Sequence, residues 1–326
     1  MKNNFLRIIY FLSYYLGINR FFYFLNRNRQ RVITFHNIIP DILFDDSIHL
    51  GVSCTDKIFE FQIKEIKKRL NITTELGVSN SCIITFDDGY LNQFYIAHNI
   101  LKKFSYKAIF FINSDLVKNK KVLWIDKLLM YFSYLPNGTY SFCNQNFLIN
   151  TENRFASYVS AYKFILSYYH LKDEFINQLD KYESLINIDS KLENLRFKPL
   201  YNSHIDIMKN YGHLVGCHST SHEVLLKLNK DKLEHEINTC ENLIGTFYNC
   251  DYFSYPFGSD KEVDQRVVKK MQKSVFTHCF INNWFYKYNN DDYKIQRMSL
   301  PNLENKYLIH AYLSGFYFYL KQFIDD

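Results

Sequence analysis

The stretch Ile83-Ile84-Thr85-Phe86-Asp87-Asp88-Gly89-Tyr90 decides the fold, because an apolar, β-branched run leads directly into two carboxylates and a glycine. Such a run is typical of a buried strand, and Gly89 permits the turn that ends it. Side chains alternate faces along a strand, so Asp87 and Asp88 can share a site only where the strand stops. Two adjacent anions resist joint ionisation unless a cation or hydrogen-bond donors stabilise them. A metal ion bound by one Asp, with the other free as a base, would resolve this conflict, and a polar turn with an Asx cap is the alternative.

Length and composition indicate a folded α/β protein. The chain has 326 residues, of which 47% are hydrophobic and 18% aromatic, enough for one large domain or two smaller ones. The net charge is +6, but no basic block interleaved with aromatic residues indicates a nucleic-acid groove, so we expect no nucleic-acid partner. Seven cysteines without a CxxC pair argue against a disulfide framework and a cysteine-based zinc site, and favour a reducing compartment.

Alternating strand and helix patterns predict a parallel sheet covered by helices. Strands are predicted at 32–35, 82–86, 108–112, 214–217, 252–255 and 274–277, and helices after the cap at 55–56, through 96–104, 204–211, 230–244 and 261–273, and in the aromatic tail at 303–323. Between 115 and 200 the alternation gives way to helix-like segments at 124–132 and 155–188. We therefore expect one domain over 30–300 with a mostly helical insertion, flanked by an aromatic helix at 1–29 and a second one at 301–326.

The N-terminal segment is apolar, aromatic and basic. The run at 8–18 is too short for a spanning helix, and no small-x-small cleavage site follows it. Aromatic helices flanked by Arg often lie in the membrane interface. We expect a helix that either docks on the protein or rests on the bilayer, with peripheral membrane contact through residues 5–25 in the second case. The expected location is the cytoplasm or the cytoplasmic membrane face. An uncleaved membrane anchor is the alternative, and a signal peptide is less favoured.

Two further motifs also follow predicted strands. In Gly216-Cys217-His218-Ser219-Thr220-Ser221-His222, two imidazoles four residues apart can reach one ion, and His with carboxylate is a common zinc set. Two His and one Asp leave an open position for water, as catalytic zinc requires. In Phe253-Ser254-Tyr255-Pro256-Phe257-Gly258, the loop after an aromatic strand can present a backbone N–H to an oxyanion. Taken alone, the first motif could be a chance histidine pair and the second an ordinary turn.

Together, and in this order, the three motifs resemble the polysaccharide deacetylase family, also called the NodB-homology domain or carbohydrate esterase family 4. The family's Thr-Phe-Asp-Asp-Gly block is complete at 85–89, its His-Ser-x-x-His block is complete at 218–222, and its Pro-aromatic-Gly stands at 256–258. The resemblance covers roughly residues 30–115 and 200–300. It implies a distorted (β/α) barrel and metal-dependent removal of an N-acetyl group from a sugar.

The resemblance also implies roles for individual residues. Asp87 would be the general base, Asp88, His218 and His222 the metal ligands, and the Phe257 N–H the oxyanion donor. This donor set suits a divalent metal, zinc above all, with cobalt, nickel or manganese as alternatives.

The sequence departs from the family pattern at two points. The family often has an Arg three residues before the motif Pro, and Phe253 stands there instead. Arg297 is the candidate substitute, because an Arg beside Asp87 would keep it ionised; a surface Arg is the alternative. For the general acid, the literal Leu-x-His match is His310, in a segment with a helical pattern, and His36 at the end of a strand is the other candidate.

The function expected from this sequence is removal of the N-acetyl group from an amino sugar of a surface polysaccharide or its lipid-linked precursor. A sugar deformylase, or another amide or ester hydrolase, could use the same residues, because a metal and a base do not define the acyl group. A non-catalytic glycan-binding module that retains the fold is the third alternative, and an intact base argues against it.

Overall fold

The computed structural model of the chain describes residues 2–45, 48, 50–259, 261–282 and 291–323. The strands within these residues are β1 (Arg31–Phe35), β2 (Ile38–Ile39), β3 (Cys54–Thr55), β4 (Asn71–Ile72), β5 (Ser81–Phe86), β6 (Ile109–Ile112), β7 (Gly138–Phe142), β8 (Gln145–Ile149), β9 (Leu214–Cys217), β10 (Tyr252–Ser254), β11 (His278–Asn282) and β12 (Ile295–Arg297). The α-helices are α1 (Lys2–Tyr15), α2 (Ile18–Leu25), α3 (Asp56–Ile66), α4 (Asn99–Lys103), α5 (Ser114–Lys118), α6 (Trp124–Tyr134), α7 (Arg154–Ser167), α8 (Lys172–Asp180), α9 (Ser190–Phe197), α10 (Asn202–Tyr211), α11 (Lys230–Glu241), α12 (Gln265–Met271), α13 (Lys306–Ser314) and α14 (Phe316–Lys321). A π-helical segment, Gln93–His98, precedes α4.

The parallel strands form a barrel. Their order is β1-β5-β6-β9-β10-β11-β12, with the short β4 attached to β5. Next to β12, Met298 exchanges backbone hydrogen bonds of 2.9 Å with Val32 and Thr34, so the last strand returns to β1. The expected distorted (β/α) barrel is confirmed.

Strand periodicity divides the core into an inner and an outer layer. Side chains at alternate positions point into the barrel, where they form a small apolar cluster at its centre: Val32, Ile83, Ile109, Phe111 and Phe280. The intervening side chains face the helices and form a larger cluster that includes Phe35, Phe86, Phe110 and Phe253. Because the strands are parallel, the residues that follow them meet at one end of the barrel.

The insertion has a core of its own. Aromatic and aliphatic side chains of α6, α7 and α8 pack there against a hairpin made of β7 and β8. The sequence analysis missed this hairpin, because its two strands are short and joined by a tight turn at Cys143 and Asn144, both with positive φ. The single long helical segment predicted at 155–188 is in fact α7 and α8, separated by a 3-10 turn at Tyr169–Leu171.

The strand predicted at 274–277 is wrong. Ser274 instead closes the end of α12, with its hydroxyl donating to the Met271 carbonyl at 2.5 Å, and the Val275 side chain is 55% exposed. The strand begins at His278, which pairs with Tyr252 of β10. The error arose because β-branched and aromatic residues in a turn resemble a strand in sequence.

The two chain ends pack on each other. Tyr10 of α1 and Phe22 of α2 form a buried cluster with Ala311 of α13 and Phe316 of α14. Within the described residues, no single helix is long and apolar enough to cross a bilayer; Leu6–Tyr15 and Ile18–Leu25 reach the required length and hydropathy only as a pair bent by 75°. Gly315, with φ 92°, separates the predicted C-terminal helix into α13 and α14.

Candidate active site

The turn after β5 sends Asp87 and Asp88 to different places. Asp88 and Gly89 both have left-handed backbone conformations, with φ of 79° and 96°. Gly89 cannot be replaced without strain, since a Cβ at that position would lie 2.8 Å from the Cγ2 atom of Ile112. Asp88 adopts the same left-handed backbone region although it carries a side chain. Residues held in such sparsely populated conformations cluster at functional sites.

Asp88 lies between the two histidines of the second motif. Its Oδ1 atom is 3.3 Å from His218 Nε2 and 3.2 Å from His222 Nε2. All three side chains are buried, and their candidate ligand atoms lie within 4.8 Å of one another. His222 also has positive φ, 57°, which turns its imidazole back towards His218.

The hydrogen bonds of this cluster fit a cation. His218 Nδ1 lies 2.8 Å from the Ser254 carbonyl oxygen, which can only accept, so Nδ1 carries the proton and Nε2 of the neutral ring presents a lone pair. That nitrogen and Asp88 Oδ1 are both buried, and neither has a hydrogen-bond partner within the described part of the chain. Two buried lone pairs that face each other repel unless a cation lies between them. Asp88, His218 and His222 are therefore suited to hold a divalent metal.

Asp87 is bound by an arginine. The Nη1 and Nη2 atoms of Arg297 donate to Oδ1 and Oδ2 of Asp87, each at 2.7 Å, and both side chains are fully buried. Arg297 Nη2 also donates to the Ser254 hydroxyl at 2.7 Å, and Nη1 to the Thr85 hydroxyl at 3.2 Å. The geometry is the bidentate fork that guanidinium and carboxylate form best.

This environment keeps Asp87 ionised. Burial raises the pKa of the Asp87 carboxyl group, but the charge of Arg297 and the hydrogen bonds from its guanidinium lower that pKa by more, so it lies below its ordinary value. At neutral pH Asp87 is therefore a carboxylate that can accept a proton.

The position that the resemblance assigned to the family's missing Arg cannot reach Asp87. Phe253 points outward into the core between the barrel and its helices, where it packs on Phe276. The next residue, Ser254, points inward and lies 3.4 Å from Asp87 Oδ2. Because serine is small, it leaves room beside Asp87, and the guanidinium of Arg297 from β12 fills that room.

The two candidate acids lie in different places. His36 follows β1, its Nε2 atom is 3.7 Å from Asp87 Oδ2, and its side chain is 35% exposed. His310 lies in α13, with Nδ1 3.1 Å from the Tyr23 hydroxyl and Nε2 3.1 Å from Glu65 Oε2. The structure thus brings His36 to the site and does not bring His310 there, because a helix packed outside the barrel directs its side chain to α2 and α3.

Phe257 lies at the mouth of the site, in a loop with positive φ at both Phe257 and Gly258. Its backbone N–H has no acceptor among the residues that the structure describes. The centroid of its ring lies 4.9 Å from the ring centroid of His222, 5.7 Å from that of Trp124 and 6.0 Å from that of Tyr162. The insertion therefore supplies an aromatic wall beside the metal ligands, and the Trp124 indole N–H donates to the His222 carbonyl at 3.1 Å.

The insertion also holds the turn that carries the two aspartates. The Gly89 carbonyl accepts from the Leu200 N–H at 2.9 Å, and Tyr90 donates its hydroxyl proton to Asp126. Asp126 is bound in turn by Arg196 Nη2 at 2.8 Å, and all three side chains of this network are buried. The sequence analysis gave this segment no part in the site.

Two further residues at the site were missed. Ser254 bonds both Arg297 and Asp87, and Asn113 donates to the His218 carbonyl at 3.3 Å while its own N–H bonds the Asp88 carbonyl at 3.0 Å. Both are polar residues that face the barrel at the end of a strand. Strict inward–outward alternation, counted from the apolar inner residues, would have found them.

Comparisons with known proteins agree with this fold. A profile described as Polysaccharide deacetylase matches residues 166–276, which contain the histidine motif and the Pro256–Gly258 loop. The chain is similar in structure to IcaB from Ammonifex degensii, with a TM-score of 0.54 at 13% identity over 88% of this chain and 97% of that one. No curated protein sequence matches the chain.

Two further solved structures are similar. The Streptococcus pyogenes deacetylase PplD in complex with acetate gives a TM-score of 0.53 at 13% identity, over 83% of this chain and 92% of that one. BC0361, a polysaccharide deacetylase from Bacillus cereus, gives a TM-score of 0.52 at 16% identity, over 88% of this chain and 68% of that one. At these identities the likeness shows the fold. With the profile match over residues 166–276 and the complete blocks at 85–89 and 218–222, the chain is similar to the polysaccharide deacetylase family of hydrolases.

Proposed function

We propose that the protein is a metal-dependent hydrolase that removes the N-acetyl group from an amino sugar of a surface polysaccharide or its lipid-linked precursor. The observation that carries the proposal is the position of Asp87, an ionised carboxylate held by Arg297 next to the cluster of Asp88, His218 and His222. A module that only binds glycans has no need for a charged carboxylate beside three candidate metal ligands.

Asp88, His218 and His222 would hold the metal. A divalent ion there supplies a Lewis acid that lowers the pKa of water and polarises a carbonyl oxygen. Zinc suits this set of two nitrogens and one oxygen, and cobalt, nickel and manganese are alternatives.

The protein's own groups would act on the proton, the oxyanion and the leaving amine. Asp87 would accept the proton of the attacking water as general base, with Arg297 fixing the direction of its lone pairs. The Phe257 N–H would donate a hydrogen bond to the oxygen that gains charge as the carbonyl carbon becomes tetrahedral. The amine then needs a proton before the carbon–nitrogen bond breaks.

His36 is the group that we assign to that proton transfer. It lies beside Asp87 and is partly exposed, so a substrate can contact it. Burial lowers the pKa of His36, against the raising effect of Asp88 and Asp87. The imidazole is therefore neutral at neutral pH, and it would donate after it receives the proton that Asp87 takes from water.

The aromatic wall would hold the sugar. The rings of Trp124 and Tyr162 are tilted by 12° from each other at 6.3 Å between centroids, and they continue the surface of Phe257. Aromatic faces offer large apolar contact area, while the polar groups of the site fix orientation.

The test is product analysis with the metal-loaded wild type and the variant Asp87→Asn, on N-acetyl and N-formyl amino-sugar oligosaccharides. We expect wild type to release acetate, and D87N to retain the metal and sugar binding but to lose turnover. Release of formate without acetate would replace the proposal by a deformylase. Sugar binding without release of either acid, in both proteins, would indicate a non-catalytic module.

A further inference from the structure

We propose that α1 and α2 form a docking face for a lipid bilayer with anionic headgroups. The face consists of their outer apolar side chains together with a cluster of arginines beside α2. The inference goes beyond the proposed hydrolase and does not depend on it.

The outer side of α1 is an exposed apolar stripe. The side chains recur every three or four residues, the spacing of one helix face, and they are between 44% and 71% exposed: Ile8, Phe11, Leu12, Tyr15 and Leu16. Helix α2 continues the surface with Phe21, Phe24 and Leu25, which are 51–59% exposed. A soluble surface rarely collects apolar side chains in this way unless something covers them.

The inner sides of the same helices are also apolar, and they belong to the fold. Tyr10 and Phe22 are buried against α13 and α14, and the buried Asn26 amide donates to the Ser314 carbonyl at 2.8 Å. The outer stripe is therefore held at a fixed place on the protein.

The charge of this region indicates what covers the stripe. Residues 1–40 contain six Lys and Arg and no Asp or Glu, so they carry the same charge as the net +6 of the whole chain. Residues 41–326 hold the other 33 basic and all 33 acidic residues, and are neutral as a whole. A helix that is apolar outside and basic at its flanks matches an anionic bilayer, where the cations meet lipid phosphates.

An arginine cluster lies next to the stripe. Arg20, Arg27 and Arg69 line an open groove of about 600 Å³ together with Phe24, one of the exposed apolar residues. Tyr23, Asn28 and Asn80 complete the groove, so none of the described residues that line it carries a carboxylate. Guanidinium groups match phosphate oxygens in geometry, and asparagine amides add donors. The groove therefore fits a phosphate headgroup at the level where the neighbouring Phe24 enters the apolar layer.

The docking face and the candidate active site lie at opposite ends of the barrel. Asn28 and Asn80 shortly precede the first residues of β1 and β5, whereas Asp87 and Arg297 lie at the carboxyl ends of strands. A bilayer under α2 would leave the active site directed away from the headgroups.

The experiment is co-sedimentation of the full chain with vesicles of phosphatidylcholine alone and with 30% phosphatidylglycerol (about the anionic fraction that gives a strong surface potential). We expect binding to the anionic vesicles, weakening with salt and released by carbonate. The triple variant R20Q/R27Q/R69Q should lose roughly 100-fold in partition coefficient, and F11S/L12S/L16S at least as much.

Matched controls replace exposed residues elsewhere on the protein. The variant K191Q/K230Q/K273Q removes as much positive charge as the arginine variant, and L185S/I207S/V275S removes exposed apolar side chains of the same kind as F11S/L12S/L16S. Both control variants should bind anionic vesicles like wild type. Equal binding to the two kinds of vesicle, or equal losses in controls and test variants, would overturn the proposal. The proposal would also be overturned if wild type did not bind vesicles but formed a dimer through this face, as measured by light scattering. Resistance of the bound protein to carbonate extraction, as shown by integral membrane proteins, would overturn it as well.

Discussion

Arg297 and Asp87 form a buried bidentate ion pair across 210 residues of sequence, with both nitrogen–oxygen distances at 2.7 Å. Burying two charges costs desolvation energy that their attraction rarely exceeds by much, so the pair is poor evidence for a stabilising role. It does fix the orientation of the carboxylate next to Asp88. We therefore interpret Arg297 as a positioning residue for the general base.

Replacing Arg297 by Lys should lower kcat by about 100-fold with a smaller effect on KM, because a single ammonium cannot hold both carboxylate oxygens and the base is misplaced. Steady-state kinetics on an N-acetylated oligosaccharide would measure this. The matched control is R69K, an Arg-to-Lys change on the surface, which should leave kcat like that of wild type. Unchanged kcat in R297K would contradict the positioning role.

The pH dependence should change in a direction set by the same pair. Arg297 lowers the pKa of Asp87 in the folded protein, so its removal in R297Q raises that pKa, and the acid limb of kcat/KM should move to higher pH. In wild type, the lowered pKa of Asp87 stabilises the folded protein at pH values above the unfolded-state pKa of about 3.9. This stabilisation is lost as the pH falls through the lower pKa of the folded state. Acid unfolding of wild type and R297Q compares this contribution. An acid limb that stays in place would show that another group controls it.

Removal of a metal ligand should be visible without any activity assay. H218Q and D88N should each reduce the metal that remains bound after dialysis from about one ion per chain to nearly none. A site with three protein ligands loses most of its affinity for the metal when one of the ligands is removed. Mass spectrometry of the metal content measures this. H235Q, an exposed histidine on α11, should keep its ion, and equal metal content in all four proteins would refute the assigned site.

The two candidate acids should differ in what they affect. H36Q should lower kcat by about 10²–10³-fold and leave the melting temperature near that of wild type. H310Q should leave kcat near wild type but cost about 1–3 kcal/mol of stability, because the buried Glu65 and the half-buried Tyr23 lose their partner. Kinetics and calorimetry on both proteins make the comparison. The opposite pattern would restore His310 as the acid.

The insertion should matter through its buried charge. D126N leaves Arg196 without its carboxylate and should destabilise the protein by about 3–5 kcal/mol, with a fall in kcat because Tyr90 follows the Asp87–Gly89 turn. The double variant D126N/R196Q removes the unpaired charge as well and should recover part of the stability. Denaturant unfolding measures both. No recovery would mean that Asp126 acts independently of Arg196.

The part of the site made by local sequence could be predicted. The run into Asp87 and Asp88 ends a strand, the two histidines follow another, and parallel strands bring such ends together whatever lies between them. On that basis the sequence predicts a site of two histidines and one aspartate, and the family resemblance assigns Asp88 to it together with His218 and His222. Seven cysteines without a CxxC pair likewise predicted thiols, and all seven are free in the structure.

What surrounds Asp87 could not be decided in the same way. Arg297 had an equally good alternative as a surface residue, and His310 matched the family pattern by its letters alone. Two properties of the closed barrel decide between such candidates: which side chains face inward, and which strand returns to β1. Because β12 closes on β1, Arg297 is separated from the strand of Asp87 by β1 alone and reaches into the room that Ser254 leaves.

The sequence by itself therefore determined the strand–turn motifs, the parallel architecture and the candidate ligands, because each depends on residues close together in the chain. The tertiary structure alone decided the partner of Asp87, the place of His310 and the contact between the insertion and the Gly89 turn. These depend on packing between segments up to hundreds of residues apart, and local patterns carry no information about which of several distant side chains will fill a given space.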